Sequence, residues 1–111
     1  MKLFEPVCLV EGKSIPDAKE DFRIARKVEQ YRISDAALYL PEGLRWNYIP
    51  LTEVQKADES FRVISAGHCV PVREKRPELD LVTSAGRIHL QLEKQDNMQI
   101  ILEALHLADS V

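Results

Sequence analysis

The sequence predicts a mainly β chain, a bent antiparallel sheet or partly open β-barrel closed by a C-terminal α-helix. Three observations lead there. About seven short apolar runs rich in strand formers are separated by turn signals at intervals of about 8–12 residues, the rhythm of small sandwiches and barrels. Leu79 to Glu93 alternates apolar and polar residues around a glycine-containing break, the pattern of a hairpin with one face in the core and one in water. From Asp96 the period lengthens to that of a helix, with Met98, Ile101, Leu102, Leu105 and Ala108 on one stripe.

In chain order, Val7-Cys8-Leu9-Val10 reads as a first strand or a strap, ended by Glu11-Gly12. Ser14-Ile15-Pro16-Asp17 has the look of a helix start, and Ala18, Phe22, Ala25 and Val28 keep helical spacing. The same stretch also fits a bulged strand, so residues 14–28 fit either state; a helical turn or two from Pro16, giving way to a strand near Ala25 to Val28, is the favoured reading. Glu29 to Ile33 is expected as a strand, Ser34-Asp35 as a kink, and Ala36 to Leu40 as a strand stopped by Pro41-Glu42-Gly43. Leu44 to Ile49 alternates and should pair back on it. Leu51 to Lys56 is expected to run on extended, Phe61 to Ile64 as a separate strand before the Ala66-Gly67 break, and Cys69 to Arg73 as another, with Pro71 placing it at an edge or a bulge.

The closing elements are better specified. Leu79 to Thr83 and Ile88 to Glu93 form the two strands, joined through Ser84-Ala85-Gly86-Arg87. Asp96 can cap a helix whose third residue is Gln99, giving a helix from about Asn97 to Ala108. Ile100, Ala104 and Leu107 form a second apolar stripe beside the first, more than a simple lid requires. Either another part of this chain covers it, the first residues with Leu3, Phe4, Val7 and Leu9 being suited to that, or it binds a protein partner or a second copy.

Tyr31-Arg32-Ile33-Ser34-Asp35, then Leu38-Tyr39-Leu40, then Ile49-Pro50-Leu51-Thr52-Glu53-Val54 resembles the opening of bacterial pleckstrin-homology-like and GRAM-like domains. The resemblance spans roughly Val28 to Ala108, and the terminal helix stands where that family places its barrel-closing helix. It implies one domain over residues 1–111, with 1–27 as an N-terminal extension, and a binding or scaffolding module with no catalytic residues. Lipid-binding members of the wider family hold phosphates with several basic residues around the first hairpin. Here that loop is Pro41-Glu42-Gly43 with only Arg45 nearby, which argues against a lipid headgroup.

Composition narrows the function classes. At 111 residues, 45% hydrophobic and 30% charged, the chain has the make-up of a globular domain with a sizeable core. With 15 basic against 18 acidic residues, no overall field draws it to nucleic acid or to an anionic membrane. Glu5, Pro6 and Glu11 interrupt the start, so no signal peptide is expected, and no run reaches the roughly 20 apolar residues of a membrane span. Cys8 and Cys69 are then expected as reduced thiols in the cytoplasm.

Local patches are weak. Arg73, Lys75 and Arg76 are expected in a loop before Pro77 and form the one anion-binding candidate, though Glu74 and Glu78 interleave them. Arg23, Arg26, Lys27 and Arg32 concentrate positive charge early but lack the interleaved aromatics of single-strand binders. Cys8, His68, Cys69, His89 and His106 show no metal-ligand spacing, so no metal or other cofactor is expected. Nothing local lowers the pKa of Cys69 to make it a nucleophile. His89 falls on the wet face of its strand, and Trp46 is expected in packing.

Two function classes follow: an interaction module that holds a protein partner or another copy of itself, and a small-ligand carrier or enzyme using the barrel mouth. The first fits better, because a small enzyme should show convergent polar residues. If the terminal helix closes the core, Leu105→Ala lowers stability by about 2–5 kcal/mol, read as a shift of the urea midpoint. An unmoved midpoint contradicts that role.

Overall fold

Residues 36–40 are apolar at every position, and in the computed structural model of the protein this run is buried from both sides. The structure describes residues 5–65 and 73–109, with side chains at 5–63 and 75–105. The first sheet contains β1 (Val7–Cys8), β2 (Arg26–Val28), β3 (Tyr31–Ile33), β4 (Ala37–Glu42) and β5 (Arg45–Pro50), in the order β1-β5-β4-β3-β2. β2 to β5 form an antiparallel meander, and β1 lies parallel to β5, with Val7 opposite Asn47. The β4–β5 hairpin turns on Gly43 and Leu44. Gly43 takes φ 60°, which a residue without Cβ adopts freely, and Leu44 is fully exposed at the tip.

Both faces of this sheet are packed. On the inner face Leu38 and Ile49 join Val28, Tyr31 and Ile33 in the main core. On the outer face Ala37, Tyr39 and Tyr48 pack with Phe22 from α1 (Ala18–Ile24), flanked by Cys8, Ile15, Ala18, Ala25 and Trp46. Phe22 meets the rings of Tyr39 and Trp46 edge-on at 5.1 and 4.9 Å, a favoured aromatic geometry. A strand covered on two sides reads as a continuous apolar run, which is why 36–40 does not alternate.

A 3-10 turn, Leu51–Glu53, leads into the second sheet of β6 (Val54–Ser65), β7 (Arg73–Thr83) and β8 (Gly86–Gln91), an antiparallel meander in chain order. Its inner face presents Leu79, Leu81 and Leu90, and α2 (Gln95–Asp109) lays Met98, Ile101 and Leu105 over them. The fold is therefore mainly β with a C-terminal helix, as expected, but among the described residues the two sheets do not close into a barrel.

Several expected boundaries shift, each for a local reason. Residues 14–28 take the favoured reading, a short helix followed by β2. Residues 29–33 are not one strand: Glu29 and Gln30 form a tight turn between β2 and β3, with Glu29 at φ 55°. The segment after Pro50 coils before it extends, and Phe61 to Ile64 belongs to one long strand, β6. The β7–β8 loop is Ser84-Ala85, because Thr83 pairs with Gly86; the Thr83 hydroxyl accepts from Ala85 N–H and donates to the Gly86 carbonyl at 2.7 Å. The stretch with Arg73, Lys75 and Arg76 is strand, not loop. The Ala66-Gly67 break, His68, Cys69, Pro71, and Leu3 with Phe4 lie outside the described residues.

β7 runs through Pro77, against the expected loop, because of where its ring nitrogen points. Pro77 O accepts from Leu92 N–H at 3.1 Å, so the main-chain groups of Pro77 face the β8 side, where the ladder ends at Glu78–Gln91. No ladder bond is lost to β6.

The helix begins at Gln95, two residues before the expected start, and Asp96 sits inside its first turn. The acid at its entrance comes from the other sheet. Glu29 accepts from the N–H groups of Glu93 (2.8 Å) and Lys94 (3.2 Å) and from the Asn97 side-chain amide (2.8 Å). A carboxylate suits this place because the first N–H groups of a helix have no internal partner and carry partial positive charge. Beside it the Tyr31 hydroxyl bonds both the N–H (3.1 Å) and the carbonyl (3.3 Å) of Gln91, which fastens β3 to the end of β8. Burial pushes the Tyr31 phenol above its ordinary pKa, keeping it a neutral donor.

Glu29→Ala should therefore lower stability by about 1–3 kcal/mol in urea unfolding. Glu29→Gly removes the same bonds but suits the positive φ, and should cost roughly 1 kcal/mol less than the alanine change. Equal wild-type midpoints for both variants would show that the carboxylate holds nothing.

Candidate functional site

The first candidate is a ribbon. β8 pairs with β7 only from Glu78 onward, so residues 73–77 of β7 and their β6 partners from Phe61 onward continue as two strands beyond the body of the sheet. Along β7 the face that carries Leu79 and Leu81 into the core carries Pro77 and Lys75 on the ribbon; opposite them on β6 stand Phe61 and Val63. Where α2 and the first sheet no longer cover that face, Phe61 is 60% and Val63 52% exposed. The Lys75 ammonium lies 4.8 Å from the Phe61 ring centroid, a cation–π contact at the edge of an apolar strip.

This geometry separates the expected anion site. Lys75 stands on the Phe61 face, whereas Arg76, one residue on, projects to the other side, 3.8 Å from Glu93. The Arg73 side chain lies outside the described residues. Lys75 and Arg76 do not converge on one anion.

A second candidate lies over α1. A cleft of about 380 Å3 is lined by Asp17, Lys19, Glu20, Phe22, Arg23 and Arg32. The Arg32 guanidinium lies 4.4 Å from the Phe22 ring centroid and 5.8 Å from that of Trp46, and donates to the Phe22 carbonyl at 3.4 Å. Its buried Nε has no hydrogen-bond partner among the described residues. Arg23 is held by Glu20 at 2.5 and 2.9 Å. Of the early basic residues, Arg26 and Lys27 stand exposed on β2, so only Arg23 and Arg32 meet in the cleft. Beneath α1, Asp21 accepts from the hydroxyls of Ser34 and Tyr39, both at 2.5 Å. Burial first, and then the Asp21 carboxylate, push the Tyr39 phenol far above its ordinary pKa.

The outer face of the second sheet is a ladder of charges. His89 stands opposite Asp80, with Nδ1 2.6 Å from the carboxylate and Nε2 3.5 Å from Glu78, which also meets Arg62 at 3.5 Å. A histidine with a carboxylate on one nitrogen has the look of a catalytic pair, yet here the second nitrogen also faces a carboxylate and no nucleophile adjoins it among the described residues. Among the described residues no group of three or more metal-ligating side chains is arranged around an ion. Cys8 is a free, half-buried thiol that donates to the Val10 carbonyl.

The second stripe of α2 is partly absorbed by the fold. Ile100 and Ala104 are half-buried against the main core, and the Leu107 side chain lies outside the described residues. Among the described residues of the N-terminal segment, Cys8 and Ile15 pack on the outer face of the first sheet and Val10 reaches the main core, while Val7 and Leu9 are exposed. No helix among the described residues is long and apolar enough to cross a membrane.

Comparison with protein-family models, with curated proteins and with solved structures gives no match. The ribbon was hidden in the sequence because Phe61 and Val63 have the spacing of any half-buried strand; what exposes them is that α2 and the first sheet stop short of that face. The cleft was hidden because its residues come from 17–23 and from Arg32, which only the fold brings together.

The ladder makes a pH-dependent contribution. The bond to Asp80, then the nearby charges of Asp80 and Glu78, raise the His89 pKa above its ordinary 6.5. A raised histidine pKa stabilises the fold fully below the unfolded value and loses that contribution as pH rises through the folded value. The imidazole shifts in NMR should titrate above 6.5 in the wild type and move back towards it in Asp80→Asn. An unchanged titration in that variant would remove Asp80 as the cause.

Proposed function

We propose that this chain is a non-catalytic protein-interaction domain on a pleckstrin-homology-like plan, which takes an extended strand of a protein partner along the β6 edge of its ribbon. The carrying observation is the ribbon itself, whose core-type face bears Phe61 and Val63 in water beside a strand edge with no neighbour among the described residues. A strand added at β6 would gain main-chain hydrogen bonds and rest side chains against that strip, the mode called β-augmentation. The family reading is supported by order: a four-strand antiparallel meander (β2 to β5), a three-strand meander (β6 to β8) and a terminal helix. The residues before β2 add a strand and a helix to that plan. A reduced cytoplasmic setting, with Cys8 a thiol, belongs to the same proposal.

The Arg32 cleft favours a second reading, small-anion binding, through its unbonded Nε. It ranks lower. Arg23 is already neutralised by Glu20, so Arg32 is left with Lys19 against Asp17, little to hold a phosphate.

Selection from a display library of random peptides, with the full chain as bait at nanomolar concentration, tests the main reading. Enriched peptides should be β-forming, and their amide perturbations in NMR should fall on residues 56–65. Phe61→Ser/Val63→Ser should keep the fold by circular dichroism and enrich nothing. No enrichment by the wild type, or equal enrichment by the variant, overturns the proposal.

A further inference from the structure

Which strand the β6 edge takes is written in its own charge pattern, and we infer that it pairs antiparallel with β6 of a second copy of this chain about a two-fold axis at Ser60. The inference rests on the reading of the ribbon as an interaction element and names its partner.

Pro77 decides which backbone groups β6 offers. Because Pro77 turns its carbonyl to the β8 side, its opposite number Phe61 sits in a non-hydrogen-bonded pair of the β6–β7 ladder, and the N–H and C=O of Phe61 point away from β7. The register is regular from Lys56 on, so by alternation Ala57, Glu59 and Val63 also turn theirs outward. β6 holds no proline, and its one irregularity is near its start, between Val54 and Lys56; its guard is charge, at Lys56, Asp58, Glu59 and Arg62, so only a strand that matches those charges is admitted.

Two such edges bond only when outward residues face outward residues, which restricts a two-fold pairing to axes that set odd-numbered positions opposite odd-numbered ones. With the axis at Ser60, Asp58 stands opposite the partner's Arg62, and Arg62 opposite the partner's Asp58. These fall in non-hydrogen-bonded pairs, where side chains approach closest. Serine at the axis leaves room for its own copy. On the inner face Ala57 meets the partner's Val63 and Glu59 the partner's Phe61, so the two strips adjoin with one carboxylate of each copy beside the axis. Moving the axis to Glu59 sets Glu59 on its own copy and Lys56 on the partner's Arg62, and moving it to Arg62 sets arginine on arginine. An axis at Phe61 makes no ion pair. An axis at Ala57 would also set Lys56 opposite the partner's Asp58, but the irregularity between Val54 and Lys56 leaves only residues 56–58 in regular register about it. Among registers that use the regular length of β6, the one about Ser60 is electrostatically self-complementary.

The Asp58 and Arg62 side chains are 48% and 38% exposed, and among the described residues each has an ion pair at 3.5 Å, to Lys56 and Glu78; the Arg62 Nε is buried, so the exposed part of its guanidinium is what a partner would meet. An isologous pairing of this kind joins the two three-stranded sheets into one of six strands.

Sedimentation velocity on the full chain, from low to several hundred micromolar, tests the pairing through charge reversal. The wild type should form a dimer. Asp58→Arg places arginine on arginine and Arg62→Asp aspartate on aspartate, so each variant alone should dimerise on the order of ten- to a hundredfold more weakly. An equimolar mixture of the two restores both opposite-charge pairs and should form a heterodimer, and the double variant carrying both changes should dimerise with itself. Recovery in the mixture also shows that both single variants fold. A wild type monomeric throughout, or a dimer indifferent to both single reversals, overturns the inference. If peptides still bind residues 56–65 of a monomeric wild type, the partner is a foreign strand and the interaction reading stands without self-association; if neither peptides nor a second copy bind there, both fail.

Discussion

The two sheets are held together at one corner by a carboxylate, and the rest of the structure depends on that join. Glu29 stands in a two-residue turn of the first sheet and accepts main-chain N–H groups at the mouth of the terminal helix, while Tyr31 grips the last residue of β8. The apolar core between the sheets is non-directional: Leu38, Ile49, Leu79 and Leu90 favour burial but do not by themselves set the angle at which the sheets meet. Directional bonds at Glu29 and Tyr31 set it. At the opposite corner chain continuity through the 3-10 turn does the same work, reinforced by Ser84, whose N–H and hydroxyl donate to the Glu53 carbonyl and carboxylate. Between these corners the helix can lie over both sheets.

The join also explains the backbone at Glu29. A non-glycine residue at φ 55° is held in a region that costs of order 1 kcal/mol or more, and such strain persists only where surrounding bonds repay it. Glycine would relax the turn and lose the carboxylate. The chain keeps the acid. The outer face of the first sheet follows a parallel logic on a smaller scale, since a seven-residue helix is too short to be stable alone and rests on Phe22 packing and on the Asp21 bonds to Ser34 and Tyr39.

Much of the architecture was legible because it is carried by local pattern. The alternation from Leu79 to Leu92 and the helical stripe of Met98, Ile101 and Leu105 give nearly the right elements and the right buried faces. What escaped is non-local. Nothing near Asn97 reveals that its helix is entered under a glutamate 68 positions earlier. The turn at Glu29-Gln30 lacks the glycine or asparagine that normally betrays positive φ. Pro77 in a strand looks like a breaker until its carbonyl is seen to face an end of the ladder. The basic residues 75 and 76 look like part of a patch in a loop and stand on two opposed faces once the segment is extended, because strand geometry alternates what a loop could gather. The ribbon and the Arg32 cleft were unreadable for the same reason: each depends on which element ends where.

Pro77 gives the ribbon two unlike edges. On the β6 side the main chain offers donors and acceptors in regular alternation; on the β7 side the first residue past the reach of β8 has no N–H to offer. A sheet that grows through one edge only, about a two-fold axis, uses up that edge in a single step and presents no fresh copy of it. Closure about a two-fold would come from the symmetry itself, and Pro77 adds to it by removing one donor from the flank of β7 that a further strand would need.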